Sequence, residues 1–195
     1  MRLLSLSIPV LVALTSLGSA QFSYANAGDA KQISVKSAAL DGMFAELRRA
    51  KNENLASDVA DRIRAEWAQS GSATVDLLMQ WASEAMEKKD FPAAFDFLDQ
   101  ALVLKPDFAE GWNRRATAHF LAGNYAKSMV DIERTLALEP RHFGALAGMG
   151  MIFIDLGKKE LALSAFRKVL DVYPQMRDIQ KQVGDLEEQL AGSRI

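Results

Sequence analysis

Two histidines, His119 and His142, are the only imidazoles in the chain, and there is no cysteine. Imidazole is the side chain suited to moving protons at neutral pH, and a pair of imidazoles could also begin a metal site. These two stand 23 residues apart. The first falls on a packing position of a helix and the second in a turn, so the expected reading is a packed, hydrogen-bonded histidine and a turn residue. The missing cysteine removes zinc-thiolate sites, iron–sulfur clusters, a thiol nucleophile and disulfides. No glycine-rich phosphate loop, G-x-S-x-G elbow or H-E-x-x-H occurs. The basic clusters "ELRRAK" and "WNRRA" are mixed with acids, and the whole chain balances 23 Lys and Arg against 25 Asp and Glu. Such a surface has no field that selects nucleic acid. The residues therefore predict no catalysis, no cofactor, no metal and no nucleic-acid partner.

The elements that carry these residues repeat. "LVLKP", "LALEP" and "LDVYP" end at Pro106, Pro140 and Pro174, each 34 residues from the next. A fixed interval of this size marks stacked units. It defines units 75–108, 109–142 and 143–176. Leu78, Trp112 and Leu146 share one place in them. So do Ala82, Ala116 and Gly150, then Ala94, Ser128 and Ala162, then Leu98, Ile132 and Phe166. Small residues let two helices approach and the large ones fill the space beside them. In "YAKSMVDIERTLALE", Tyr125, Met129, Ile132 and Leu136 make one helix face, and the proline that follows stops the helix. Asp107 with Glu110 approximates a capping box for the next helix.

The pattern resembles the tetratricopeptide repeat, W-x2-L-G-x2-Y…A-x3-F…P, most closely in "WNRRATAHFLAGNYAKSMVDIERTLALEP". Arg115 and His119 depart from it where Leu and Tyr are usual, and Lys89 stands at the turn where the third unit has Gly157. The resemblance implies an all-α solenoid of helix–turn–helix units. It also implies a concave surface that binds proteins or peptides, lined here by Met79, Ser83, Met86, Asn113, Thr117, Phe120, Leu121, Ala147, Met151 and Ile154. Chaperone-binding members grip a C-terminal carboxylate with lysine, arginine and asparagine in that groove. Met79, Ser83, Gly144 and Gly148 hold the equivalent places here, so that clamp is absent. The alternative is that the apolar members of the row pack between helices and leave the groove self-filled.

A stack of such units needs modified ends. Residues 37–74 read as a degenerate N-terminal repeat, a helical hairpin with Phe44, Leu47 and Ala60 at pattern positions and Ser72 where proline would stand. Residues 177–195 read as a capping helix with Ile179, Val183, Leu186 and Leu190 on one face. Residues 28–36 carry no pattern and are expected to be a flexible lead-in.

Residues 1–27 have the form of a secretory signal peptide: Arg2, an apolar run from Leu3 to Leu17, then small residues. "GSA" ending at Ala20 and "ANA" ending at Ala27 are both cleavage signatures; the second is the better A-x-A and the first lies nearer the apolar run. The run is shorter than a membrane span, and no cysteine is present to carry a lipid, so the expected product has no membrane anchor and is periplasmic. The expected role is an adaptor or scaffold of the cell envelope, the alternative a structural component of an envelope or secretion assembly held by its convex or terminal surfaces. Sequencing the N-terminus of the mature protein is expected to read from Gly28 or Gln21; retention of Met1 in a cytoplasmic fraction would remove the export reading.

Overall fold

The computed structural model describes residues 27–192, with side chains from Ser37 onward. The expected signal peptide lies outside those residues except for Ala27. Among the described residues there are nine helices and no strand: α1 (Ala27–Arg49), α2 (Glu53–Ala68), α3 (Ala73–Glu87), α4 (Phe91–Leu104), α5 (Ala109–Leu121), α6 (Tyr125–Leu138), α7 (Phe143–Asp155), α8 (Lys159–Val172) and α9 (Arg177–Gly192). Residues 28–36 lie within α1 rather than in a flexible lead-in. They hold no proline, and they are continuous with the well-packed turn around Phe44 and Leu47, so the helix is extended rather than nucleated there.

Helices α3/α4, α5/α6 and α7/α8 pair as hairpins, and α4 packs on α5, α6 on α7 and α8 on α9. The seams run through the small residues. Ala82, Ala94, Ala116, Ser128 and Ala162 are all buried, and the Ser128 hydroxyl donates to the Ala116 carbonyl at 2.7 Å, so the one polar member is satisfied. Within each hairpin the turn closes in the same way: the N–H groups of Asp90, Asn124 and Lys158 reach the carbonyls of Ala85, His119 and Phe153 at 2.9, 2.8 and 2.8 Å. That closure needs a left-handed residue, supplied by Gly123 (φ 74°), Gly157 (φ 69°) and, in the first unit, Lys89 (φ 58°). The lysine makes the same turn at a cost of about 1 kcal/mol. At the start of α5 the N-cap is Phe108, not Asp107, whose carboxylate instead lies 3.4 Å from the Lys105 ammonium.

The units are joined by four-residue links, and α2 is joined to α3 by a link of the same length, 69–72. The hairpin α1/α2 nevertheless does not stack ahead of the first unit. It packs mainly on α8 and α5, at the edge where the links lie. Glu53 meets Arg177 at 2.7 Å, the Arg64 guanidinium lies over the Phe143 ring, and the Trp67 indole stacks on His142 with centroids 4.1 Å apart. Helix α2 thus runs back along the stack, from the end of the third unit towards α3. Phe44, Leu47, Ala56, Ala60 and Ile63 share one core with Phe143, Phe166, Val169 and Tyr173. Burying three large side chains is worth roughly 1.5–3 kcal/mol each, whereas exposed ion pairs such as Glu53–Arg177 add about 0–1 kcal/mol. Apolar contact therefore holds the hairpin in place. The link itself differs from the others: it holds no proline, the Ser70 hydroxyl donates to Asp76 of α3 at 2.5 Å, and Gly71 turns the chain at φ +80°.

A methyl group at Gly150 would lie 2.3 Å from the Phe166 ring, which is fully buried. Gly150→Ala is expected to push α7 and α8 apart and cost about 1–3 kcal/mol, read as a lowered melting temperature by circular dichroism.

Candidate protein-binding groove

The first helices of the three units, α3, α5 and α7, set the candidate row, and the structure divides it. Met79 is not a lining residue: it is buried in the first unit's core with Val75, Ala82 and Leu98. Ala147 and Ile154 are half-buried against the core shared by the third unit and the α1/α2 hairpin, and Met86 and Phe120 are half-buried in the cores of their units. The Phe120 ring stacks on Tyr125 at 5.6 Å, and the Tyr125 hydroxyl donates to Asp155 at 2.8 Å, which ties α6 to α7. Thr117, Leu121 and Met151 remain open, the last two 55 % and 37 % exposed. Part of the row is self-filled and part is free.

The polar members are occupied by each other. The Ser83 hydroxyl donates to the Met79 carbonyl and accepts from Arg114 at 3.1 Å. Arg114 and Asn113 both donate to the Glu110 carboxylate at 3.0 Å, and His142 meets its Oε2 at 3.2 Å. His142 Nδ1 accepts the Ala145 N–H at 3.1 Å and caps α7. That assignment leaves Nε2 as the donor to Glu110. Histidine is not a usual cap, so sequence reasoning placed His142 in the turn and missed its role; its position just before a helix was the signal. Burial pushes the Glu110 carboxyl up, but the bonds from His142 and Arg114 outweigh it and hold it below its ordinary 4.5.

On α5 the two departures from the repeat pattern form one device. The Arg115 guanidinium makes two bonds to Asp131, each 2.8 Å, reaches Asp99 of α4 at 2.6 Å, and lies 4.7 Å from the Trp112 ring centroid. His119, one turn on, stacks on Phe95 of α4 at 4.3 Å and stands 4.0 Å from Asp131. Burial lowers its basicity, although Asp131 opposes this. The packing residues Leu and Tyr are replaced by a paired charge and a stacked imidazole that tie α4, α5 and α6 together. These groups line a cleft of about 410 Å³ with Lys127 and Asn124. His119 and His142 share no partner, and among the described residues no group of three histidine or acidic side chains could hold a metal.

A profile of the tetratricopeptide repeat matches residues 143–176. A TPR repeat-containing protein of Rhizobium etli is 56 % identical over 155 residues, 80 % of this chain and 76 % of that protein. The chain belongs to the tetratricopeptide-repeat family. The Sgt2 TPR domain of Aspergillus fumigatus is similar in structure (TM-score 0.58, 20 % identity), over 63 % of this chain and 83 % of that domain. So is the first TPR of Spaghetti (RPAP3), solved with the HSP90 peptide SRMEEVD (TM-score 0.58, 20 % identity), over 62 % of this chain and 95 % of that one. At these identities the likeness shows the α-solenoid fold.

Glu110 is held ionised more firmly in the folded chain than in the unfolded one. Its contribution to stability is complete above pH 4.5 and is lost as pH falls through the lower folded value. Glu110→Gln is expected to lower stability at neutral pH by about 1–3 kcal/mol and to flatten the acid limb of the melting-temperature profile, because His142 and Arg114 lose a charged acceptor.

Proposed function

We propose that this chain is a non-catalytic adaptor of the bacterial periplasm that binds a protein segment along its concave face. The observation that carries the reading is the free stretch of the row: Leu121 and Met151 stand exposed on successive first helices, with Thr117 exposed one turn before Leu121, while Met86, Phe120 and Ile154 are half-buried. Its charged neighbours Glu110 and Arg114 are already paired, so apolar contact is what the surface offers. Methionine adapts its shape to different partners. The fitting partner is an amphipathic helix or an extended segment with apolar side chains. A C-terminal carboxylate fits less well, since Met79 is buried, Ser83 is engaged, and Gly144 and Gly148 bring no side chain. The periplasmic setting rests on the segment from Arg2 to Ala27. Among the described residues no helix is long and apolar enough to cross a membrane.

Leu121→Asp and Met151→Asp place an ion where a partner's apolar groups must sit. Each is expected to lose capture of envelope proteins, measured by crosslinked pull-down, by at least tenfold while keeping native helicity. Phe120→Asp is expected to lower the melting temperature as well, because that ring is stacked on Tyr125. Capture unchanged in both exposed-site variants would move the binding surface elsewhere.

A further inference from the structure

The eleventh place of each unit closes its hairpin: its carbonyl accepts the turn N–H, and it is filled by Ala85, His119 and Phe153. Alanine and phenylalanine ask for no polar partner, so of the three only the imidazole can take up a charge. His119 is buried, and its ring stacks on Phe95 of α4 with centroids 4.3 Å apart. Its Nδ1 is enclosed without a hydrogen-bond partner. Its Nε2 stands 4.0 Å from Asp131 Oδ2, beyond hydrogen-bond reach, and that oxygen already accepts from Arg115 Nε at 2.8 Å.

The neutral ring can occupy this place, but an imidazolium carries a proton on both nitrogens and needs an acceptor for each. Nδ1 has none while the ring stays on Phe95. Burial, the largest influence, holds the imidazole below its ordinary 6.5. The charges that face it nearly offset one another: Arg115 on its own helix and Lys127 on α6 against Asp131 on α6 and Asp99 on α4. Both acids are moreover already engaged by Arg115. An exit lies beside the ring, because His119 borders the cleft of about 410 Å³ lined from α4, α5 and α6. The exposed Asp99 and Asn124 stand there as acceptors.

We propose that His119 is an acid-operated latch of the second unit: on protonation the imidazolium leaves the Phe95 ring for the cleft, and the turn end of α5 loosens from α4. Phe120 and Leu121 follow His119 in the last turn of α5, so the loosening reaches the concave row. The latch needs no partner and stands apart from the function proposed above. Acid drives it in one direction. The unfolded chain takes up this proton more readily than the folded one, so the stability His119 contributes is complete above pH 6.5 and is lost as pH falls from there through the lower folded value. Glu110 acts only below 4.5, so the two windows are separate.

With two imidazoles in the chain, His119 can be followed singly by proton–carbon NMR, its signal being the one lost in His119→Phe. Its Cε1–H is expected to titrate with a midpoint below 6.5, and the Phe95 ring and Leu121 methyl signals are expected to shift in that same step. Between about pH 7 and pH 5 the wild-type melting temperature is expected to fall further, by about 2–4 °C, than that of His119→Phe or His119→Tyr. The first variant installs the third unit's residue at this place and the second keeps a ring with a polar tip. A midpoint at or above 6.5 overturns the proposal. So does a His119 step that leaves Phe95 and Leu121 unmoved, or a fall in melting temperature as large in both variants as in the wild type.

Discussion

No helical hairpin in this chain can bury its apolar face alone, and that constraint governs the rest of the molecule. Each unit is completed by its neighbour, and the neighbours approach only because the seam residues are small. Gly150 under the Phe166 ring shows how little room remains. Where the seam carries a polar group, as at Ser128, the group is bonded to backbone, so close approach does not leave an unpaired donor. Stability is thereby shared along the stack, each interface resting on the next.

The same constraint makes the two ends unlike each other. Helix α9 solves its end with one apolar and one charged face. The head is left open by a single link. Ser70 and Gly71 stand in a link without proline, and α2 before it lies against α5 and beside Phe143 at the start of α7. Once there, Phe44, Leu47 and Ile63 are buried so fully that the hairpin is part of the third unit's core. Arg141, which bonds both Glu139 and Asp41 and lies over the Phe44 ring, joins hairpin and stack across the link between the second and third units.

Charge is used inside this fold to fasten, and apolar side chains are what the first helices leave exposed. Arg115 would be costly in a seam by itself, but Asp131 and Asp99 surround it with acceptors and Trp112 covers its plane. Glu110, nearly enclosed, is met by donors from its own helix and from His142 across the link. These networks consume the polar side chains that a solenoid groove often offers to a peptide terminus. The free chemistry of the concave face is therefore the apolar contact of Leu121 and Met151, with the hydroxyl of Thr117 beside it.

The sequence by itself determined the solenoid. The 34-residue period, the prolines at Pro106, Pro140 and Pro174, and the alternation of small and large seam residues are local and near-neighbour properties, and local pattern suffices to specify them. The capping face of α9 was legible for the same reason. Only the tertiary structure decided where α1 and α2 go. Their apolar faces suit either the first unit or the edge of the third, and the choice turns on the backbone angle of Gly71 and on contacts such as Trp67 with His142, between residues 75 positions apart in the sequence. It likewise decided which of the candidate groove residues are free. Periodicity places Met79 and Met151 in the same row, on the first helices of the first and third units, but burial depends on how far each helix is overlaid by its neighbours. Met79 sinks into the first unit's core while Met151 faces solvent.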